Sequence, residues 1–195
     1  MIVTALCVRP IGSDLVALSA FDTLARKMQY AGVLSSIWRE ELWLLGFCCT
    51  AVEARSITER LATETGIFVN PNTHRHVVVA GDEPLPFGKA SGREDVSILV
   101  WSFDDTQSVP VKVAIRERMG LEALSELKRL TVWWPRFDEK GLCGISPCEA
   151  ASSMATARSR KEGLLANPHY QGSLVLEGTV SPGELLARIT SSRFA

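Results

Sequence analysis

Apolar and polar positions along this chain switch between a period near two and a period near 3.6, and the switches mark its elements. Ile2 to Val8 is an apolar, β-rich run that stops at Arg9-Pro10, which predicts a first strand. Leu15, Leu18, Phe21, Leu24, Ala25 and Met28 recur at helical spacing, predicting a helix from Leu15 to about Tyr30 with that face buried. Ser13 or Asp14 would cap it and Gly32 would end it. Val33 to Phe47 is long and apolar but interrupted by Arg39-Glu40-Glu41. It reads either as two antiparallel strands with a polar turn or as one long bent strand. A helix over about 51–66 and a strand from Arg75 to Ala80 complete this part.

After the Pro/Gly-dense stretch Gly81 to Asp95 the order recurs. It gives a strand Val96 to Phe103, a helix from about Val109 to Met119, and strands within Leu124 to Phe137. A Gly/Cys/Pro loop, a helix over about 147–163 and a strand Ser173 to Glu177 follow. Ser181-Pro182-Gly183-Glu184 opens a last helix carrying Leu185, Leu186 and Ile189.

The recurrence extends to punctuation. Gly66 and Asn70-Pro71 match Gly163 and Asn167-Pro168 at one offset, and each Asn-Pro precedes an apolar run. Both glycines read as helix stops. Thr50-Ala51-Val52-Glu53 and Ser146-Pro147-Cys148-Glu149 are capping boxes at matching places. Arg39, Trp43 and Phe47 fall on Arg129, Trp133 and Phe137 at a second offset. The sequence therefore predicts an internal duplication: a first repeat over 1–80, a linker over 81–95, a second repeat over 96–178 and a C-terminal helix over 179–195. The predicted class is α+β: two tandem ferredoxin-like units, each βαββαβ with an antiparallel sheet. Helices then cover only one face of each sheet. Trp43, Trp133 and Trp134 lie on strands whose side chains alternate, so some of this aromatic surface turns away from the helices. The two units would hide it against each other, by stacking or by joining edges.

Hydrophobic residues make up 46% and charged residues 22% of the 195, so a packed core is expected. The formal net charge of −1 supplies no electrostatic reason for nucleic acid or an anionic membrane as partner. No apolar run has the roughly 20 residues needed to cross a bilayer, and Ile2 to Val8 lacks a preceding basic segment. Five cysteines are an odd count in a chain large enough to need no staples, so free thiols and a reducing, cytoplasmic setting are expected.

Candidate chemistry is sparse. His74 and His76 share one strand face and could begin a metal site, but His169 is the only other histidine and a site needs more ligands. The wide spacing of Cys143 and Cys148 and the adjacent Cys48 and Cys49 give no zinc motif. Gly88-Lys89 lacks the rest of a phosphate loop. No catalytic residue, metal or cofactor is therefore assigned. The candidates for binding a partner or ligand are Arg39, Trp43, Arg129 and Trp133, recurring pairs suited to an acidic or planar group, together with His74 and His76.

The segment Gly163-Leu164-Leu165-Ala166-Asn167-Pro168 with the strand after it, and more faintly Val69-Asn70-Pro71, resembles the PurS subunit of phosphoribosylformylglycinamidine synthase. Neither Arg9 to Asp14 nor Asp104 to Pro110 matches that family's motif after the first strand. The resemblance implies a non-catalytic subunit bridging a glutaminase and a synthase subunit in purine synthesis, with room for a further homodimer. The alternative class is a small-ligand sensor of tandem ACT-like type, binding an amino acid or nucleotide. Such a protein would use a Gly-containing loop after the first strand, and Gly12 offers one.

Overall fold

The computed structural model describes residues 1–28, 30–85, 96–159 and 162–191. Strands β1 (Ile2–Pro10), β2 (Leu34–Phe47), β3 (His74–Ala80), β4 (Val96–Ser102), β5 (Leu124–Phe137) and β6 (Gln171–Glu177) form one antiparallel sheet in the order β3-β1-β2-β5-β4-β6. Helices α1 (Leu15–Asp22), α2 (Ala51–Glu64), α3 (Ser108–Met119), α4 (Pro147–Ala155) and α5 (Pro182–Ser191) pack on it. The class is α+β.

Each half has the order β-α-β-α-β, five elements where six were expected. Of the two readings of Leu34 to Phe47, the single strand is the one found. Arg39-Glu40-Glu41 carries no Gly or Asn to close a turn, and Ser36 to Gly46 pairs residue for residue with β5. The halves join through these two 14-residue strands, edge to edge. No strand edge is left bare at the join, which a turn in β2 would have broken.

Strand alternation divides the core. Leu6, Trp43, Leu45, Phe47 and Val78 pack under α2 and α3; Ile98, Val100 and Trp133 pack under α1 and α4. Paired residues share a face, so these clusters lie on one side of the sheet. Ala5, Cys7, Leu42, Leu44, Leu99, Leu130 and Val132 face the other side, where Leu185, Leu186 and Ile189 of α5 and the buried Leu85 cover them. The C-terminal helix thus shields the second face, a task the sequence had given to the opposite repeat. Of the linker 81–95, positions 86–95 lie outside the described residues.

Both capping boxes form: Thr50 and Ser146 accept from Glu53 N and Glu149 N, and each glutamate reaches back to its cap. Both carboxyls sit below their ordinary range because the cap backbone N–H and hydroxyl donate to them. Asn70 and Asn167 also act alike. Each side-chain oxygen accepts from the N–H two residues on (3.0 Å in both), and each carbonyl closes the turn into an edge strand.

The glycines between them do not act alike. Gly66 follows the end of α2 in a left-handed conformation (φ 65°), as expected. The helix predicted to reach 163 ends at Ala155. Residues beyond it fold back, with Leu164 N and Ala166 N donating to Met154 O and Ala155 O. Gly163 (φ 71°) is needed for close approach instead: a Cβ there would lie 1.6 Å from Thr156 O.

Candidate functional site

Cross-strand register explains the recurring Arg and Trp. It sets Arg39 opposite Trp133 and Arg129 opposite Trp43, so each half's guanidinium covers the other half's indole. The distances to the ring centroids are 5.9 and 5.4 Å. Arg39 Nε donates to Asp14 Oδ2 at 2.8 Å, and Arg129 Nη2 donates to Glu41 Oε1 at 2.5 Å and reaches Gln107 through its other nitrogen. Both indoles are buried, so Trp43 and Trp133 are seam residues, with the arginines partly exposed above them.

Beside this seam lies a cleft of about 700 Å³. Its origin is the end of β1. The β1–β2 ladder runs from Ile2↔Phe47 to Val8↔Glu41 and stops. Continued, it would bring Pro10 opposite Arg39, and proline has no N–H to donate. The chain then leaves through Gly12 to α1, and among the described residues no strand pairs with that edge of the N-terminal part of β2. Ser35 to Glu40 all line the cleft.

The two walls come from opposite sheet faces. On one, Asp14 caps α1 through Oδ1, accepting from Val16 N and Ala17 N, while its other oxygen holds Arg39. Ala17, Leu18 and Phe21 continue that wall. On the other, the carboxyl-bearing Glu40 is buried. Its carboxylate accepts from Arg9 Nε and from Trp134 Nε1 at 3.0 Å. That bond raises the pKa of Arg9 further above its ordinary value. Arg136 lies 5.2 Å over the ring of Trp38. Trp38 is half-exposed, and Arg136 is exposed with no carboxylate partner among the described residues. Three guanidinium groups thus surround the cleft, and its two carboxylates are already bonded.

Helix α1 corrects one expectation. The face predicted to be buried includes Leu15 and Leu18, yet these are 77% and 55% exposed, as Ile11 and Val16 also largely are. Ala17 and Ala20 face the sheet instead. The Asp14–Arg39 bond ties the helix start to β2, and alanines permit the close approach that leucines would prevent. A π-helical turn at Thr23–Lys27 then shifts the phase, so that Leu24 is buried. The result is a short helix with its alanines inward, Phe21 partly buried and its leucines in water, beside the cleft.

The corresponding place in the second half is smaller. A pocket of about 210 Å³ lies by Arg129, Gln107 and Thr131. The β5 edge near it is occupied by side chains: Lys112 Nζ donates to Ser125 O, and Lys128 pairs with Asp105. The two halves differ at this point.

The histidines lie elsewhere. His76 Nε2 is 3.3 Å from Glu59 of α2, and His74 Nδ1 bonds within the Asn70 turn. Among the described residues, no group of three or more His, Cys, Asp or Glu is placed to hold a metal ion. All five cysteines are free. Burial and the neighbouring Glu40 push the Cys7 thiol far above its ordinary range. Among the described residues no helix is long and apolar enough to cross a membrane.

Sequence reasoning found Arg39 but missed Arg9, Trp38, Glu40, Trp134 and Arg136. One signal was present. If β2 is a single strand, Glu40 falls between Trp38 and Leu42 on one face, a carboxylate in an apolar row that requires a donor. No family model, no curated protein and no solved structure matches the chain.

Proposed function

We propose that this chain is a non-catalytic binding protein in which two ferredoxin-like halves, each with its central hairpin straightened into one strand, are fused into a single sheet. A partner protein docks on the face made by α1 and the cleft. One observation carries this reading: Leu15 and Leu18 of α1 and the nearby Ile11 are exposed, and Leu18 lines the same cleft as the Trp38–Arg136 pair. An apolar patch beside a stacked Trp and Arg is the composition of an interaction hot spot. Fold stability does not require Leu15 or Leu18 there, since α1 makes its core contacts through Ala17, Ala20 and Phe21.

In the specific form that the PurS resemblance implies, the partners are glutaminase and synthase subunits of the amidotransferase. The chain would bridge them without reacting. The test is affinity capture from extract of the source cells, with wild type and a Leu15→Ser, Leu18→Ser double variant compared quantitatively. Recovery of both subunits with wild type, lost in the variant, is the expected result. Absence of both with wild type refutes the PurS-like form, and equal recovery with the variant refutes the surface.

A second reading has one observation in its favour: Gly12, in the loop after the first strand, lines the cleft. A small ligand, an amino acid or a nucleotide, would then bind there. At a hundred times its Kd such a ligand adds about 2.7 kcal/mol of stability. For a chain of this size that is about 5–10 °C in Tm. A thermal-shift screen with no rise for any amino acid or nucleotide excludes the second reading.

A further inference from the structure

We propose that the cleft takes an extended peptide segment of a partner protein as an added strand on the open edge of β2, and that this segment alternates acidic and apolar residues. The inference rests on the partner-binding reading and specifies its chemistry.

The direction of the backbone groups follows from the ladder. Gly81 N donates to Val3 O (3.1 Å) and Ile11 N to Thr73 O (2.8 Å), so the odd residues of β1 bond toward β3. Even residues therefore bond toward β2, and Val8 faces Glu41. Arg39 and Ile37, two and four residues from Glu41 on the same strand, turn their N–H and C=O groups to that same edge. Pro10 ends β1 before it can meet them. The hydrogen bonds among the described residues give these four groups no partner. Unpaired edge groups of this kind are a template for strand addition. The edge from Ser35 to Arg39 is about 17 Å long at a strand's rise, enough for a five-residue segment.

The walls define which side chains such a segment carries. Residues paired opposite Ile37 and Arg39 share their face and meet Ala17, Leu18 and Phe21, so they are apolar. A residue opposite Trp38 points to the other face, toward Arg136 and Arg9. Glu40 is engaged by Arg9 and Trp134, whereas Arg136 has no carboxylate partner among the described residues. An acidic side chain completes that set.

The probe is acetyl-(Val-Glu)4-amide, titrated against the full chain by tryptophan fluorescence, with amide exchange followed by NMR. Two control peptides are acetyl-(Val-Lys)4-amide and a Val-Glu peptide methylated on alternate backbone nitrogens. The expected result is saturable binding below about 1 mM and exchange at Ile37 and Arg39 slowed at least about tenfold. Binding of either control is expected to be weaker by about tenfold or more. Arg136→Glu, an exposed substitution, is expected to invert the preference between the Glu and Lys peptides. Failure of the Val-Glu peptide to bind, or binding with unchanged exchange at Ile37 and Arg39, overturns the proposal. A native partner that is captured yet leaves both amides exchanging at the free rate sinks strand addition and spares the docking surface. A peptide that binds as expected while no native partner is captured has the opposite meaning.

Discussion

Replacing Arg9 by Met removes a charge from one side of a buried carboxylate while keeping the arginine's apolar stem. The side chain of Glu40 is 0% exposed, that of Arg9 50%. Breaking a fully buried pair by removing one partner costs about 3–5 kcal/mol, because the remaining charge is stranded. Pairs wholly in water are worth about 0–1 kcal/mol. Water reaches Arg9 but not Glu40, and Trp134 Nε1 still donates to the carboxylate at 3.0 Å. We therefore expect Arg9→Met to cost about 2–3 kcal/mol, between those limits, or about 5–10 °C in Tm for a chain of this length. The assay is urea unfolding at neutral pH, followed by tryptophan fluorescence, in a double-mutant cycle with Glu40→Gln. The amide carries no charge and remains a partner for Trp134, so the double variant is expected to regain at least about 1 kcal/mol over the sum of the single losses. A loss below about 0.5 kcal/mol for Arg9→Met, or strict additivity in the cycle, refutes the idea that Glu40 depends on this arginine.

Three further outcomes follow from the same geometry. Gly66→Ala and Gly163→Ala both force a left-handed alanine. Nothing lies within 4 Å of the former, while Thr156 O blocks the latter, so about 1–2 kcal/mol is expected at Gly66 and more than about 3 at Gly163; equal urea midpoints contradict this. Glu53 and Glu149 have lowered folded-state pKa values. The stability they contribute is present above the unfolded value near 4.3 and is lost as pH falls through the folded value. The Glu53→Gln, Glu149→Gln variant is thus expected to lose less stability than wild type between about pH 5 and pH 3, and parallel pH profiles would count against the capping account. Cys48 and Cys143 are exposed and Cys7 is buried with a raised pKa; a thiol reagent at pH 8 is expected to label the first two promptly and Cys7 only as the chain unfolds, and prompt labelling of Cys7 in folded protein speaks against that packing.

Local chemistry was readable wherever one segment decides its own conformation. Thr50 and Ser146 announced their helices because the cap and its glutamate are three residues apart. Asn70 and Asn167 announced their turns because the side chain bonds the backbone two residues on. Gly66 and Gly163 carried the same signal with different results, since the role of the second depends on a carbonyl of Thr156 that the chain reaches only by folding back. Helix α1 failed for a related reason. Its eight residues are apolar or small on nearly every side, so periodicity offered both a leucine face and an alanine face. The choice was made by Arg39, whose bond to Asp14 draws the helix in close enough for alanine alone.

The sequence by itself determined the two capping boxes, the two asparagine turns, the order in which helices and strands alternate, and the α+β class, because these rest on spacings of a few residues. Only the tertiary structure decided that β2 and β5 run unbroken beside each other, that α5 covers the second face, and that an edge of β2 lies open past Pro10. Those features depend on which distant strand becomes a neighbour. That choice is made by burial summed over the whole sheet, and no local pattern encodes it.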